Sequence, residues 1–382
     1  MLKEFRLPTY LELSKEQDRI LRKLQEANKA IVAGAPGTGK SVIVLLLADK
    51  LKNQKKQYLC LLYTQVLKQM STYLVKDLDV QTWHSWFMKF FYQSYKQAPP
   101  QVKPFEYDWN KINEIIDEHH LVFEEESTII IDEGQDMPRE FYDFMDDHFQ
   151  TVLVSADENQ QLWEKNNSCL EDIQKWLGVN EKFCFKLSKN YRNSRQIAQL
   201  AQYFYCNTSA DPPELPERNG EIPILVDYPE KRVVFEKIAL RHKVNPDRLI
   251  AILVPNNKIR EEYYTELKKM GIDSLYTYAS DIGSNNRPIR FDMGGIIVLN
   301  TKSAKGLEFD EVFIVDLDEF NISFDREAFR KEMYVLISRA KEHLFLLINT
   351  CNNTYRCRQI LSEFTDDVNV LRRWPENKME SV

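Results

Sequence analysis

"GAPGTGKS", Gly34 to Ser41, runs directly into "VIVLLLA", Val42 to Ala48, and the reading of this stretch decides the fold. It matches G-x-x-x-x-G-K-[ST] and lies between the β-branched run "KAIVAG" and a segment apolar enough for a buried helix. In that setting Gly34, Gly37 and Gly39 let backbone N–H groups turn inward around phosphates, with Thr38 inside the same loop. Lys40 is placed to reach the β and γ oxygens. Ser41, at the helix N-terminus, is placed to hold Mg²⁺.

Working outward, "TIIIDEGQD" has the form of a buried strand that delivers two carboxylates to the C-terminal edge of a sheet. Asp132 is expected to hold Mg²⁺ through water, and Glu133 to orient or deprotonate an attacking water. The competing reading is that these acids only cap the next helix. Gln17, in "LSKEQDRIL", has two readings of equal weight. Its spacing from Ser14 fits a capping box, and its amide also carries the paired donor and acceptor that would read adenine.

Short β-branched runs alternate with helical patterns along most of the chain, which predicts α/β units with parallel sheets. "KAIVAG", "QYLCLLY", "STIIIDE" and "TVLVSA" fall before residue 181. "KFCFKL", "RLIAILV", "GIIVLN", "EVFIVD" and "HLFLLIN" fall after it. Two tandem units are therefore expected, over 1–181 and 182–382, with a hinge at 179–186 and a short insertion at about 88–122. The aromatic, Pro-bearing "FFYQSYKQAPPQVKPFEYDWN", the "DPPELPERNGEIP" segment and "ASDIGSNNRPIRFDMGG" read as surface insertions or loops.

The 382 residues, 43% hydrophobic and 29% charged, suit a globular protein with a sizeable core and exclude a disordered one. A net charge of -7 argues against coating nucleic acid by bulk charge, so any such site is a confined groove. The six cysteines fall singly, without a CxxC pair, and read as reduced and structural. No apolar segment reaches the length of a membrane span, and "MLKEFRLPTY" lacks the apolar core of a signal peptide; the cytoplasm is the expected compartment.

Taken in order, "EQDRIL", "GAPGTGKS", "LYTQVL", "TWHSW", "IDEGQD", "ADENQQLW", "LSKNYRNSRQIA", "NTKSAKGLEFDEVF" and "YVLISRAK" resemble the superfamily 1 helicases of the UvrD/PcrA/Rep type over nearly the whole chain. The resemblance implies two RecA-like P-loop NTPase domains, with ATP and Mg²⁺ in the cleft between them and single-stranded nucleic acid across both. It favours the adenine reading of Gln17. It also implies that Gln160 couples the γ-phosphate to the strand, that Tyr191 stacks on adenine, and that Gly306 and Glu308 line the nucleotide, Glu308 at the ribose. Arg192 and Arg339, both from the second half, match arginines that reach the γ-phosphate in this family.

For the strand, Tyr63, Thr64, Thr82, Trp83, His84, Trp163 and Thr301 are the expected contacts. Aromatic faces stack on any base, and Thr64, Thr82 and His84 fix register through phosphates. Core packing is the competing reading for Tyr63, Trp83 and Trp163, and a cap or core role for His84.

The chain departs from the family pattern in lacking its large insertions, which grip the duplex. It also lacks a second aromatic after "NQQLW", and has Val42 and Ala156 where relatives carry arginine and glycine. The expected function is an ATP-dependent translocase on single-stranded DNA, or alternatively RNA, with 3′ to 5′ polarity by resemblance. The rival is an ATP-gated switch subunit of a nuclease, repair or phage-defence complex, using the aromatic "FFYQSY" region as its partner surface.

Overall fold

The computed structural model describes residues 6–119, 127–157, 168–206, 211–278, 288–322, 325–351 and 354–374. In the first half, helix α1 (Lys15–Leu24) precedes β1 (Lys29–Gly34), α2 (Lys40–Asn53), β2 (Tyr58–Leu62), α3 (Gln65–Leu74) and β3 (Val80–Thr82). Next come α4 (Trp83–Tyr95), the hairpin β4 (Gln101–Lys103) and β5 (Glu106–Tyr107), and α5 (Trp109–His119). β6 (Thr128–Ile131), α6 (Arg139–His148), β7 (Thr151–Ala156), α7 (Leu170–Trp176) and β8 (Cys184–Leu187) complete the unit.

These strands form a six-stranded sheet in the order β3-β2-β6-β7-β1-β8, and every pairing in it is parallel. Parallel strands buried on both faces read as continuous apolar runs, which is how Ile129 to Ile131 and Val152 to Val154 are written. α2 is apolar almost all round because it is buried, from Ile43 to Ala48 without interruption.

The second half adds α8 (Arg195–Tyr203), β9 (Ile224–Asp227), α9 (Lys231–Val244), β10 (Leu249–Val254), α10 (Asn257–Lys269) and β11 (Leu275–Thr277). It ends with β12 (Gly295–Asn300), α11 (Thr301–Ala304), β13 (Phe309–Ile314), α12 (Arg326–Ile337), β14 (Ala340–Ile348), α13 (Thr354–Leu361) and β15 (Arg372–Trp374). Its seven-stranded sheet runs β11-β12-β10-β13-β14-β9-β15, again with parallel pairings.

One expectation fails. "KFCFKL" does not join the second unit, because β8 pairs with β1, Ile31 opposite Cys184 and Gly34 opposite Leu187. The chain thus adds an edge strand to the first sheet before it crosses over. The sequence of a half-exposed edge strand carries no mark of which sheet it joins.

The aromatic stretch also resolves differently along its length. α4 continues to Tyr95 and buries Phe87, Phe91 and Tyr95, and only then does the chain turn into the hairpin. One apolar cluster contains Leu67 and Met70 of the first half together with Phe291 and Leu307 of the second, so the two halves are packed against each other. Among the described residues, no helix is long and apolar enough to cross a membrane.

Candidate functional site

The loop after β1 carries Gly39 with φ at +97°, at the N-cap of α2. A Cβ there would collide with the Gln17 amide nitrogen, so glycine is needed for both backbone and space. Lys40 is buried and folds back over the loop, donating to the carbonyls of Gly34 at 2.6 Å and Ala35 at 3.2 Å. Its Nζ is also 3.7 Å from Asp157. Those carbonyl contacts hold the ammonium over the loop's concave face.

Gln17 makes the full set of capping bonds. Its Oε1 accepts from Ser14 N at 3.1 Å, its own N–H donates to Ser14 Oγ at 3.2 Å, and its Nε2 donates to Thr38 O at 3.0 Å. The amide therefore ties α1 to the phosphate loop. It also borders the cleft, so a base edge would have to share groups already bonded.

Asp132 and Glu133 follow β6, one strand removed from β1 across β7. Ser155 Oγ donates to Asp132, and the Ser41 hydroxyl bonds the same carboxylate. Burial and then the adjacent Glu133 charge push the Asp132 carboxyl upward. For Glu133 burial pushes the same way, but Lys305, Lys40 and Arg339 outweigh it and hold the carboxylate low. Gln135 Nε2 donates to Glu133 at 2.5 Å, and its Oε1 accepts from Asp157 N at 2.9 Å. Glu133 itself sits at φ +57°, a conformation uncommon outside glycine and concentrated at functional sites.

The second half closes over this edge. Lys305 donates to both oxygens of Asp136, at 2.7 and 2.6 Å, in an ion pair with 2% and 0% side-chain exposure. Asp136 and Lys305 lie 169 positions apart, and sequence reasoning missed both although each stands inside a quoted motif. Gly306, at φ +77°, lets that backbone come against Leu67; a Cβ would approach its side chain to 3.0 Å. Tyr191 N donates to Gly37 O at 2.8 Å, a direct backbone link across the halves.

A cleft of about 480 Å³ results. Lys40, Ser41, Glu133, Tyr191, Arg192 and Arg339 all line it, joined by Gln17, Gly37, Gly39, Gly306 and Glu308. Gly34, Thr38 and Asp132 stand behind this wall. Arg192 Nε donates to Glu308 at 2.8 Å, and Lys341 pairs with its other oxygen at 2.6 Å. Burial raises the Glu308 carboxyl, but those two cations win and hold it at about 2. A ribose hydroxyl at Glu308 would meet a carboxylate already shared by two cations, and Lys341 is a cleft residue the sequence reading missed. Arg339 is fully buried, with Nε donating to Val335 O at 2.9 Å; burial and Arg192 lower it to about 10, so it remains a cation at neutral pH.

The residues expected to contact a strand separate less favourably. Tyr63 and Thr64 follow β2 at the same sheet edge and are partly exposed, with Thr64 accepting from Leu67 N at 3.1 Å as the cap of α3. Trp83 corrects the reading: it is buried, 5.1 Å edge-on from Phe141 and 5.6 Å from Tyr107, and belongs to the core. Thr82 is likewise buried, accepting from Gln65 Nε2 at 3.2 Å, and Thr301 is buried at the start of α11. The reason is local. β3 ends where α4 begins, so the residues at that junction turn inward under the helix.

His84 stays at the surface edge, with its ring 3.7 Å from that of Trp83. Burial lowers it to about 4, so at neutral pH the imidazole is neutral and not a cation. Gln160 and Trp163 lie outside the described residues.

Because Trp83 packs in the core, Trp83→Ala costs about 3–5 kcal/mol of stability, the range for emptying a large aromatic site. A urea denaturation midpoint measures this directly. An unchanged midpoint with weakened strand binding would return Trp83 to the track.

Two parallel sheets, a phosphate loop in one and basic residues from the other facing it, define a two-unit helicase-type core. A family model described as "Schlafen group 3, DNA/RNA helicase domain" matches residues 28–226, more than half of the chain, and the chain belongs to that family. A second model, "UvrD-like helicase C-terminal domain", matches 295–347, and the whole is a superfamily 1 core of UvrD-like type. No curated protein sequence matches it.

Among solved structures, S. cerevisiae Dbp5 bound to RNA and ADP BeF3 aligns over 95% of this chain and 90% of its own, at TM-score 0.53 and 16% identity. A single-substitution form of the same yeast protein, with the same ligands, aligns over 99% and 97%, at 0.52 and 14%. Candida albicans Pif1 helicase aligns over 92% and 98%, at 0.47 and 14%. The Dbp5 likeness speaks to the tandem RecA-like fold alone.

Proposed function

We propose that the chain is an ATP-dependent translocase on single-stranded nucleic acid, DNA in preference to RNA, moving 3′ to 5′. The observation that carries this is the shared cleft: Arg192 and Arg339 from the second half line the same cavity as Lys40, Ser41 and Glu133 from the first. Two guanidiniums that meet one γ-phosphate make closure of the halves depend on the nucleotide. We place the limit between the two domains after Leu187, not at 181, because β8 belongs to the first sheet.

The residue roles proposed here draw on position and on the family resemblance. Lys40 and the loop amides bind phosphates, with Gly34, Gly37, Thr38 and Gly39 shaping the loop. Gln17 and Tyr191 border the base and Gly306 and Glu308 the sugar side, while Gln160 couples the γ-phosphate to the strand. Glu133 orients the attacking water. The mutually bonded Ser41 hydroxyl and Asp132 carboxylate are hard oxygen groups that would hold Mg²⁺, Asp132 through water. That ion would supply charge neutralisation at the phosphates.

Each cycle is a population shift between open and closed cleft, driven by the higher affinity of the closed state for ATP. Tyr63, Thr64 and His84 are proposed as the first-half strand contacts, and Trp163 and Thr301 are proposed as further contacts on the family resemblance. The test is displacement of streptavidin from a biotinylated single strand, together with hydrolysis measured with and without that strand. A motor clears streptavidin with ATP and is stimulated by the strand. A chain that hydrolyses ATP and holds the strand without clearing it is the switch subunit instead.

A further inference from the structure

Beside the expected track, the first half presents a surface that the site above does not use. α4 starts at the C-terminal end of β3, where His84 stands, and His84, Met88 and Tyr92 follow one another at four-residue spacing along one helix face. The β4–β5 hairpin lies against that face, with Gln101 Nε2 3.5 Å from Met88 Sδ. Four apolar side chains are exposed there together: Met88 at 36%, Tyr92 at 58%, and Val102 and Phe105 at 67% each.

Phe105 is the least expected of them. It occupies the hairpin turn at φ +66°, a left-handed conformation that a side chain with a Cβ adopts at a cost, and its ring meets His84 edge-on at 5.5 Å. The turn thereby holds an aromatic face in solvent and next to His84.

Charge distinguishes the patch from the rest of the chain. Between Asp79 and Glu106 there is no carboxylate at all, whereas Lys89, Lys96 and Lys103 fall inside the interval, in a protein of net charge -7. All three lysines are exposed, and Lys103 pairs with Glu106 at 2.6 Å. An aromatic surface that carries Lys89 and Lys96, with Glu106 at its rim as the partner of Lys103, is complementary to a phosphate backbone with unstacked bases.

We propose that this face of α4 and the β4–β5 hairpin form a further single-stranded nucleic-acid subsite, with Phe105 and Tyr92 stacking on bases and Lys89 and Lys96 contacting phosphates. It rests on the motor reading and extends the track past His84, away from the nucleotide cleft.

The test uses the full chain without nucleotide and fluorescein-labelled oligothymidines of about 25 and about 8 nucleotides, read by anisotropy at fixed salt, the short one spanning little beyond the core track. Phe105→Ala and Tyr92→Ala each weaken binding of the long strand about 10- to 100-fold while leaving the short strand unchanged. Phe105→Trp retains wild-type affinity, and hydrolysis without strand is the same in all variants.

Wild-type affinity of Phe105→Ala for the long strand overturns the proposal while leaving the motor reading intact. So does equal loss on both lengths with a lowered Tm, which marks a structural role. So too does a change in sedimentation without a change in affinity, which marks a contact between copies. A wild-type chain that binds neither strand overturns the motor reading together with this one.

Discussion

Arg339→Ala lowers kcat for ATP hydrolysis by about 10³-fold or more, with a smaller change in the affinity for ATP. The expectation comes from where the residue stands. Its guanidinium belongs to the second half, borders the cleft shared with Lys40, and remains charged although fully buried. A cation held there gains most when negative charge builds on the transferring phosphoryl group, so its loss falls on the transition state more than on the ground state. Arg339→Lys does not rescue the rate, because a single ammonium cannot reproduce the planar fork. Arg192→Ala acts in the same direction. It also frees Glu308 from one of its two cations, so KM for ATP rises alongside the fall in kcat. Single-turnover hydrolysis with ATP binding measured separately decides the matter; unchanged kcat in Arg339→Ala would remove that residue from the reaction.

Glu133→Gln is the second large effect, a loss of hydrolysis of about 10³-fold with ATP binding retained. Glu133 lies in the cleft beside Asp132, and three cations keep it ionised despite burial, which is the state a base for water requires. The amide is nearly isosteric and keeps a partner in Gln135, so the fold is not the cause of the loss. Equilibrium binding of a fluorescent ATP analogue and steady-state phosphate release measure the two halves of the claim. Loss of both together would mean that Glu133 builds the cleft instead of acting in it.

The glycine-loop and carboxylate half of the candidate site is legible in the sequence because each part carries its own physical mark. Glycines at fixed offsets between an apolar strand and a buried helix leave little choice for Gly34 to Ser41, and the apolar run Ile129 to Ile131 of β6 presents Asp132 and Glu133 at its end. The arginines are a different matter. Nothing in the local pattern of Arg192 or Arg339 separates a cleft residue from a solvated one, and their place comes from the ordered resemblance. The Asp136–Lys305 pair is invisible for a related reason, since complementary charges 169 positions apart leave no periodic trace.

The strand surface is the least legible. "TWHSW" shows aromatic and polar residues at a strand-to-helix junction, but composition does not say which turn inward; Trp83 and Thr82 do, while His84 stays at the edge. β8 misleads because an edge strand reads alike in either sheet.

The claim on which the rest depends is that the nucleotide pocket is built by both halves at once. A structure of the chain with ADP, beryllium fluoride and a single strand tests it most directly. The account predicts the guanidiniums of Arg192 and Arg339 both within about 3 Å of the fluorides that stand in for the γ-phosphate oxygens, with Lys40 opposite them. Either guanidinium turned away from the bound group, with the halves closed, would contradict it.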